Sequence, residues 1–472
     1  MPEETVSDPL DRRCAARWIA AICALSLAAK LLLLVALLPG RPGIIRNPDT
    51  ETYEGPARAL LATGAFSPSP EAAPEPELNR TPGFPVLVAA AYGVCGERPV
   101  VVAVLNVLLS TGTLALVGAL GVALFGARSG VTAAALLACD PGSFHYSFVL
   151  LTETPFAFLV VLSTGLLVLA VRRPRRELPL VALAGVAIAL ATHVRPVTYY
   201  FPVAGALLVV AAARRGRKGA LAAAYLAPVV VLVGAWQVRN LARAGTASFT
   251  LNQQVELYLM RAAGAQALAE GVALEEVQRR FGWDEYLYRF GYVPLSRSAF
   301  ANVPYAERHP ATARLALPEL ARVYSRRAVE VLRAHPVAAA LMQARGLAFL
   351  LLAPPNVLWQ YQWGGLAADD ALRRAYFFPK PLDVLSWLRT RAPLAFVLAV
   401  AGIALLALLA ALALRGAVRT WPLSGGPFVV TTVAYLALVT AGPSCLDDRY
   451  RVPLMPFLCL LAARALSSGK AA

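Results

Sequence analysis

The chain has 472 residues, is 58% hydrophobic and 15% charged, and has a mean hydropathy of +0.59. A soluble fold of this size could not hide so much apolar surface, so the composition excludes a water-soluble globular enzyme and points to a polytopic membrane protein. The net charge of +16 rests on 44 basic residues, of which only Lys30, Lys218, Lys380 and Lys470 are lysines; they fall in short clusters between apolar runs, a topological signal that makes nucleic acid an unsuitable partner.

A helix needs roughly 20 apolar residues to cross a bilayer. Clear candidates are 18–38, 100–124, 152–171, 180–194, 197–213, 219–237, 393–414 and 427–441, with weaker runs at 84–95, 131–150, 336–353 and 452–466. The expected fold class is therefore an all-α polytopic membrane protein with about ten to twelve crossings. The first run follows Arg12, Arg13 and Arg17 and is long enough to span, and the expectation is a retained signal-anchor helix.

Arginine placement orients the chain. Arg12/Arg13/Arg17, Arg172/Arg173/Arg175/Arg176 and Arg214/Arg215/Arg217/Lys218 are expected to be cytoplasmic, which puts the N-terminus inside and the segments 40–83 and 139–151 outside. Three apolar stretches then lie between two outer points, so one of the short ones must fail to span. The expected organisation is an N-terminal transmembrane module, 1–237, with a long first outer loop at 40–83; an extracytoplasmic portion, 238–335, with interfacial helices such as "LPELARVYSRRAVEVLRAH"; and C-terminal transmembrane helices, 336–472.

Charge next to hydrocarbon is costly unless it faces a partner or a cavity. The outer-side charges are Asp49, Glu51, Arg80, Asp140, Glu153, His193, Arg195, Arg239, Asp447, Asp448, Arg449 and Arg451. Carboxylates can accept a proton or steady positive charge, and guanidinium groups grip phosphate through paired hydrogen bonds, so acids with arginines suit a phosphorylated lipid. Ordinary roles compete at each position: Asp49 can cap a helix starting near Thr50, Glu51 and Glu54 can be solvated on an interfacial helix, and Glu153 suits the dipole of the helix it opens. Arg449 and Arg451 can anchor a helix end among headgroups, and His193 is read as structural. The cysteines have no C-x-x-C spacing, so neither a zinc site nor a disulfide framework is indicated, and no metal or cofactor is expected.

In order, "PDTETYEGPARALLATGAF", "NRTPGFPVLVAAAYGVCG", "LLTETPFAFLVVL", "WQVRNLARAG" and "DDRYRVPLMPFLCLLAARAL" resemble the GT-C superfamily of membrane glycosyltransferases, closest to the family 39-like bacterial enzymes. That group includes protein O-mannosyltransferases and the aminoarabinose transferase acting on lipid A. The resemblance implies that Asp49 is the catalytic carboxylate, that Arg80 lies near a donor phosphate, and that Glu153 is a second acid. It implies that Tyr53, Arg195, Arg239, Arg449, Tyr450 and Arg451 bind substrate. Thr50 separates Asp49 from Glu51, whereas relatives with two acids in the first loop have them adjacent.

The function so implied is transfer of a sugar from a polyprenyl-phosphate donor to a glycan, lipid or protein acceptor, with inversion, on the outer face of the inner (plasma) membrane. Asp49 would be the base. The competing class is a transporter or flippase of lipid-linked saccharides, which would also gather arginines around phosphate but would show repeat halves and mid-bilayer acids. An inactive envelope scaffold is a third possibility.

Overall fold

A computed structural model describes residues 11–289, 311–312, 314–354, 385–386, 389–390, 393–442 and 448–467. Asp447, one of the outer-side charges, lies outside the described residues. The described residues form helices and turns without strands.

The long helix α1 (Arg12–Leu37) leads to a first loop that ends in α2 (Glu51–Thr63), which is followed by α3 (Gly83–Cys95), α4 (Pro99–Phe125), α5 (Ala127–Ala138) and the short α6 (Pro141–Tyr146). The helices α7 (Glu153–Arg172), α8 (Glu177–Val194), α9 (Phe201–Ala212) and α10 (Lys218–Ala244) then alternate in direction. A helical layer comes next: α11 (Asn252–Val255), a π-helical turn (Glu256–Ala262), α12 (Ala263–Glu270), α13 (Leu274–Phe281), α14 (Trp283–Arg289) and α15 (Leu317–Ala334). The remaining helices are α16 (Pro336–Leu352), α17 (Pro393–Thr420), α18 (Gly426–Thr440) and α19 (Met455–Ser467).

Among the described residues, six helices are long and apolar enough to cross a membrane: α1, α4, α7, α8 with its leading turn, α10 and α17. The shorter apolar helices α5, α9, α18 and α19 pack alongside them, and α15 meets α16 at a bend of 100°. Pro336, which cannot donate a backbone hydrogen bond, sits at that corner.

The spare apolar stretch between the first loop and α7 is α3. Asn106, in the first third of α4, donates to the carbonyl of Val149 at 2.8 Å, and Leu150 N donates to the carbonyl of Ile45 at 2.9 Å. These bonds put the start of α4 at the same end as the loops before α2 and α7. The helix α3 therefore starts and finishes at that end. It packs on α2, where Tyr92 donates to the buried carboxylate of Glu54 and Arg58 reaches Glu97 at 2.5 Å.

Gly126, at φ 94°, turns the chain from α4 back into α5, so α5 returns to the first-loop end. The expected 131–150 span is interrupted instead: α5 stops at Ala138, and Asp140 caps α6 by accepting from the amide of Ser143 at 2.7 Å. The helix α10 runs past 237 to Ala244, which places Arg239 on a helix and not in a loop.

Helix direction separates two ends. Arg12, Arg13 and Arg17 at the start of α1, the arginines between α7 and α8, and Arg214 to Lys218 between α9 and α10 share one end, while the first loop, Glu153 and Arg195 share the other. The helix α19 runs from the site end to the arginine end, where Ser129 donates to Ser467 at 2.8 Å.

Candidate active site

Asp49 lies in the loop before α2. Its amide donates to Asn47 Oδ1 at 3.1 Å, and its own carbonyl accepts from the hydroxyl of Thr52 at 2.6 Å. The helix α2 begins with no side-chain cap, so the Asp49 carboxylate is not spent on the helix. It turns to two guanidinium groups instead: Oδ1 accepts from Arg80 Nη2 at 3.2 Å and Oδ2 from Arg449 Nη1 at 2.7 Å.

Each arginine is held by further contacts. Arg80 donates to the hydroxyls of Thr52 at 2.8 Å and Tyr53 at 3.1 Å, and its guanidinium lies 4.4 Å from the centre of the Tyr53 ring. Arg449 donates to the hydroxyl of Tyr450 at 3.1 Å, and its Nε lies 4.0 Å from Glu153 Oε1. The buried Glu153, the first residue of α7, pairs with Arg195, which follows the last residue of α8. The Tyr450 ring lies between Arg449 and Arg195, at 5.0 and 5.3 Å from their guanidinium centres.

Asp49, Tyr53, Arg80, Glu153, Arg195, Arg449 and Tyr450 thus meet at the first-loop end of the bundle, where three guanidinium groups face two carboxylates. Arg80, Arg195 and Arg449 are each under 20% exposed, and Asp49 is 23% exposed. Burial pushes the Asp49 carboxyl up, but Arg449, Arg80 and the more distant Arg195 outweigh it and hold Asp49 well below the usual carboxylate range. Burial pushes the Tyr450 hydroxyl up to about 12, so it stays a neutral hydrogen-bonding group.

Two of the expected substrate-binding arginines turn elsewhere. Arg451 is buried and donates to the carbonyls of Leu350 at 3.2 Å and Ala353 at 2.8 Å, satisfying the end of α16. Arg239 donates to the carbonyls of Glu77 at 3.0 Å and Phe66 at 2.8 Å and stacks over Trp236, fastening the 66–77 loop to α10. Asp448 accepts from Tyr146 at 3.1 Å, and the ring nitrogen Nδ1 of His193 lies 2.8 Å from the carbonyl of Ala189. Glu51 is exposed and pairs with Arg58 at 2.5 Å, and the buried Glu54 pairs with Arg46 at 2.9 Å, so both belong to a network beside the site.

Sequence reasoning passed over Glu256. It opens the π-helical turn Glu256–Ala262 and interacts electrostatically with Arg261, Arg449, Asp49 and Arg195. Burial, joined by the negative charge of Asp49, raises its carboxyl against the opposing pull of those arginines. One signal could have found it: Glu256 is the only charged residue between Arg243 and Arg261. Among the described residues, no group of three or more His, Cys, Asp or Glu converges in a metal-holding arrangement.

Residues 79–238 match the family described as dolichyl-phosphate-mannose-protein mannosyltransferase, a stretch that holds Arg80, Glu153 and Arg195. The match covers about a third of the chain, and the described residues share an all-α architecture with six helices long and apolar enough to cross a membrane. No curated protein matches the chain.

Among solved structures, the chain is similar to the oligosaccharyltransferase AglB of Archaeoglobus fulgidus in complex with an inhibitory peptide and a dolichol-phosphate. That likeness has 13% identity and a TM-score of 0.48, with 95% of this chain and 50% of that one covered. The apo form gives 15% identity and a TM-score of 0.49 over the same shares. ArnT of Cupriavidus metallidurans bound to undecaprenyl phosphate gives 13% identity and a TM-score of 0.43, covering 95% of this chain and 77% of that one. The chain spans about half the length of the AglB chains.

Proposed function

We propose that this chain transfers a sugar from a polyprenyl-phosphate donor to an acceptor hydroxyl at the extracytoplasmic face of the plasma membrane, with inversion at the sugar carbon. The observation that carries the reading is the convergence of three guanidinium groups, Arg80, Arg195 and Arg449, on Asp49 and Glu153 at the first-loop end of the bundle. A lipid monophosphate arriving from the bilayer would meet these guanidinium groups.

A guanidinium carries five N–H donors, so Arg80 and Arg449 can hold Asp49 and still present hydrogens to phosphate oxygens. Charge develops on the phosphate as the sugar leaves, and fixed cations in a site shielded from water stabilise that charge more than the ground state. Asp49 is the catalytic carboxylate of this reading, orienting the acceptor hydroxyl and steadying positive charge on the sugar ring, and Glu153, expected as a second catalytic acid, positions Arg195. Tyr53 and Tyr450 brace the guanidinium planes. The clusters Arg12 to Arg17, Arg172 to Arg176 and Arg214 to Lys218 share the opposite end, which supports the extracytoplasmic placement by the positive-inside rule.

The test is turnover by purified full chain in detergent, where transport across a membrane is impossible. A panel of radiolabelled polyprenyl-phosphate sugars, beginning with the mannose compound, would be offered with glycan, lipid and peptide acceptors. Release of polyprenyl phosphate with label passing to one acceptor is the expected result. Tight donor binding with no turnover for any pair would favour the transporter reading.

A further inference from the structure

We propose that Glu77 and Arg239 are positioning residues for Arg80: they fix the turn from which the Arg80 guanidinium reaches the donor phosphate. This rests on the transferase reading, in which Arg80 is a phosphate ligand, and gives a role to the "WQVRN" stretch, 236–240, which that reading leaves unused.

Arg80 follows the 66–79 loop at a turn whose backbone groups are held one by one. The carboxylate of Glu77, 7% exposed, turns back on its own chain, where Oε1 accepts from the amides of Asn79 at 2.5 Å and Arg80 at 2.8 Å. The Glu77 amide donates to the carbonyl of Phe66 at 2.9 Å. Three successive carbonyls each meet a different donor: that of Glu77 accepts from Arg239 Nη1 at 3.0 Å, that of Leu78 from the amide of Leu251 at 2.8 Å, and that of Asn79 from the hydroxyl of Thr250 at 2.6 Å.

These donors trace back to the end of α10. Trp236 Nε1 donates to the carbonyl of Phe249 at 3.0 Å, and Nδ2 of the buried Asn240 donates to that of Ser248 at 2.8 Å, so α10 holds the segment that carries Thr250 and Leu251. Arg239 uses Nη2 on the carbonyl of Phe66 at 2.8 Å and shares Nη1 between Glu77 and Asn240 Oδ1, the latter at 2.9 Å. Both terminal nitrogens of Arg239 therefore serve the loop, although the sequence placed this arginine on the substrate.

The side chain that the turn delivers to the cluster is Arg80, which donates to Asp49 at 3.2 Å, Thr52 at 2.8 Å and Tyr53 at 3.1 Å. A carboxylate binds backbone amides about twice as strongly as a neutral acceptor does, which makes the buried Glu77 a stiff brace for the Arg80 backbone. Electrostatic stabilisation depends on groups fixed in place before charge develops, and a supporting layer of hydrogen bonds holds such groups to within about 0.5 Å.

The test is a double-mutant cycle read by equilibrium binding of labelled undecaprenyl phosphate to full chains in detergent. Glu77→Ala and Arg239→Gln are each made in wild type and in Arg80→Ala. Arg80→Ala should weaken binding about 10-fold or more, the scale of one lost charge-assisted hydrogen bond. Glu77→Ala and Arg239→Gln should each weaken it about 5-fold or more in wild type, yet by less than about twofold in Arg80→Ala, because residues that act through one group are not additive. Glu77→Gln, whose side-chain oxygen still accepts from both amides, should stay within about threefold of wild type. Where Glu77→Ala fails to fold, the Arg239→Gln pair gives the same comparison.

Wild-type affinity in both Glu77→Ala and Arg239→Gln would overturn the proposal and leave the transferase reading standing. Losses that repeat undiminished in Arg80→Ala would also overturn it, because Arg239 would then touch the lipid or both groups would serve the fold at large. Glu77→Gln as weak as Glu77→Ala would do the same for the acid, which would then act by its charge and not through the turn. A wild-type chain that binds no undecaprenyl phosphate would remove the transferase reading and this proposal together.

Discussion

Arg449 donates from Nη1 to Oδ2 of Asp49 at 2.7 Å, joining two residues 400 positions apart in the chain. The bond closes the site: it ties the turn before α19 to the first loop, and Arg80 completes the clamp from the other side at 3.2 Å.

Asp49→Asn should remove the anion at the centre of this clamp and leave two guanidinium groups facing each other. Transfer is expected to fall by about 100-fold or more, the scale of losing one preorganised electrostatic group in a site shielded from water. The variant should still extract and elute as a single species. Normal transfer by folded Asp49→Asn would refute the assignment of Asp49.

Acid sensitivity comes from the direction of the Asp49 shift. Its folded-state value lies below its unfolded one, so the stability it contributes is complete above the ordinary carboxylate value of about 3.9 and is lost as pH falls from there toward the folded value. Between about pH 4.5 and pH 3 the wild-type melting temperature should therefore drop more steeply than that of Asp49→Asn. Parallel curves for the two proteins would show that the clamp contributes no stability.

Arg449→Ala should weaken undecaprenyl phosphate binding by roughly 10-fold or more, the scale of one lost charge-assisted hydrogen bond to a shielded phosphate. Arg449→Lys keeps the charge but not the forked geometry and should recover only part of the affinity. Equilibrium binding of the labelled lipid would measure both, and an unchanged constant for Arg449→Ala would place the phosphate elsewhere.

Arg451 offers a control beside the site. Arg451→Met deletes the donors to the Leu350 and Ala353 carbonyls and should destabilise the protein by about 1–3 kcal/mol, the cost of leaving buried acceptors unsatisfied. A lower melting temperature with undecaprenyl phosphate affinity preserved is the expected pattern. A specific loss of affinity with the melting temperature unchanged would return Arg451 to the substrate.

Close backbone contact makes α4 and α5 sensitive to a single methyl group. A Cβ at Gly130 would stand 2.6 Å from the carbonyl oxygen of Gly118 and 2.4 Å from a methyl of Val122. Gly130→Ala should cost about 1–3 kcal/mol, because the helix backbone cannot move aside, and a thermal melt in detergent would read it.

The sequence alone determined the features that local chemistry sets: the apolar runs that must lie in a bilayer, the basic clusters that mark one end of the bundle, and an ordered set of loose motifs around Asp49, Arg80 and Glu153. Tertiary structure decided which charges meet. Arg449 and Arg451 stand two residues apart, yet one reaches Asp49 and the other seals the end of α16, because the turn at 448–451 points them in different directions. Hydropathy marked α3 as a weak span; its packing on α2 leaves it at the site end. Glu256 belongs to no motif, and its turn is fastened to α16 and α18 by Arg261 only when those distant helices pack. Hydropathy and helix signals act within one or two turns of chain, whereas the partner of a buried guanidinium is chosen by groups that come together when distant helices pack.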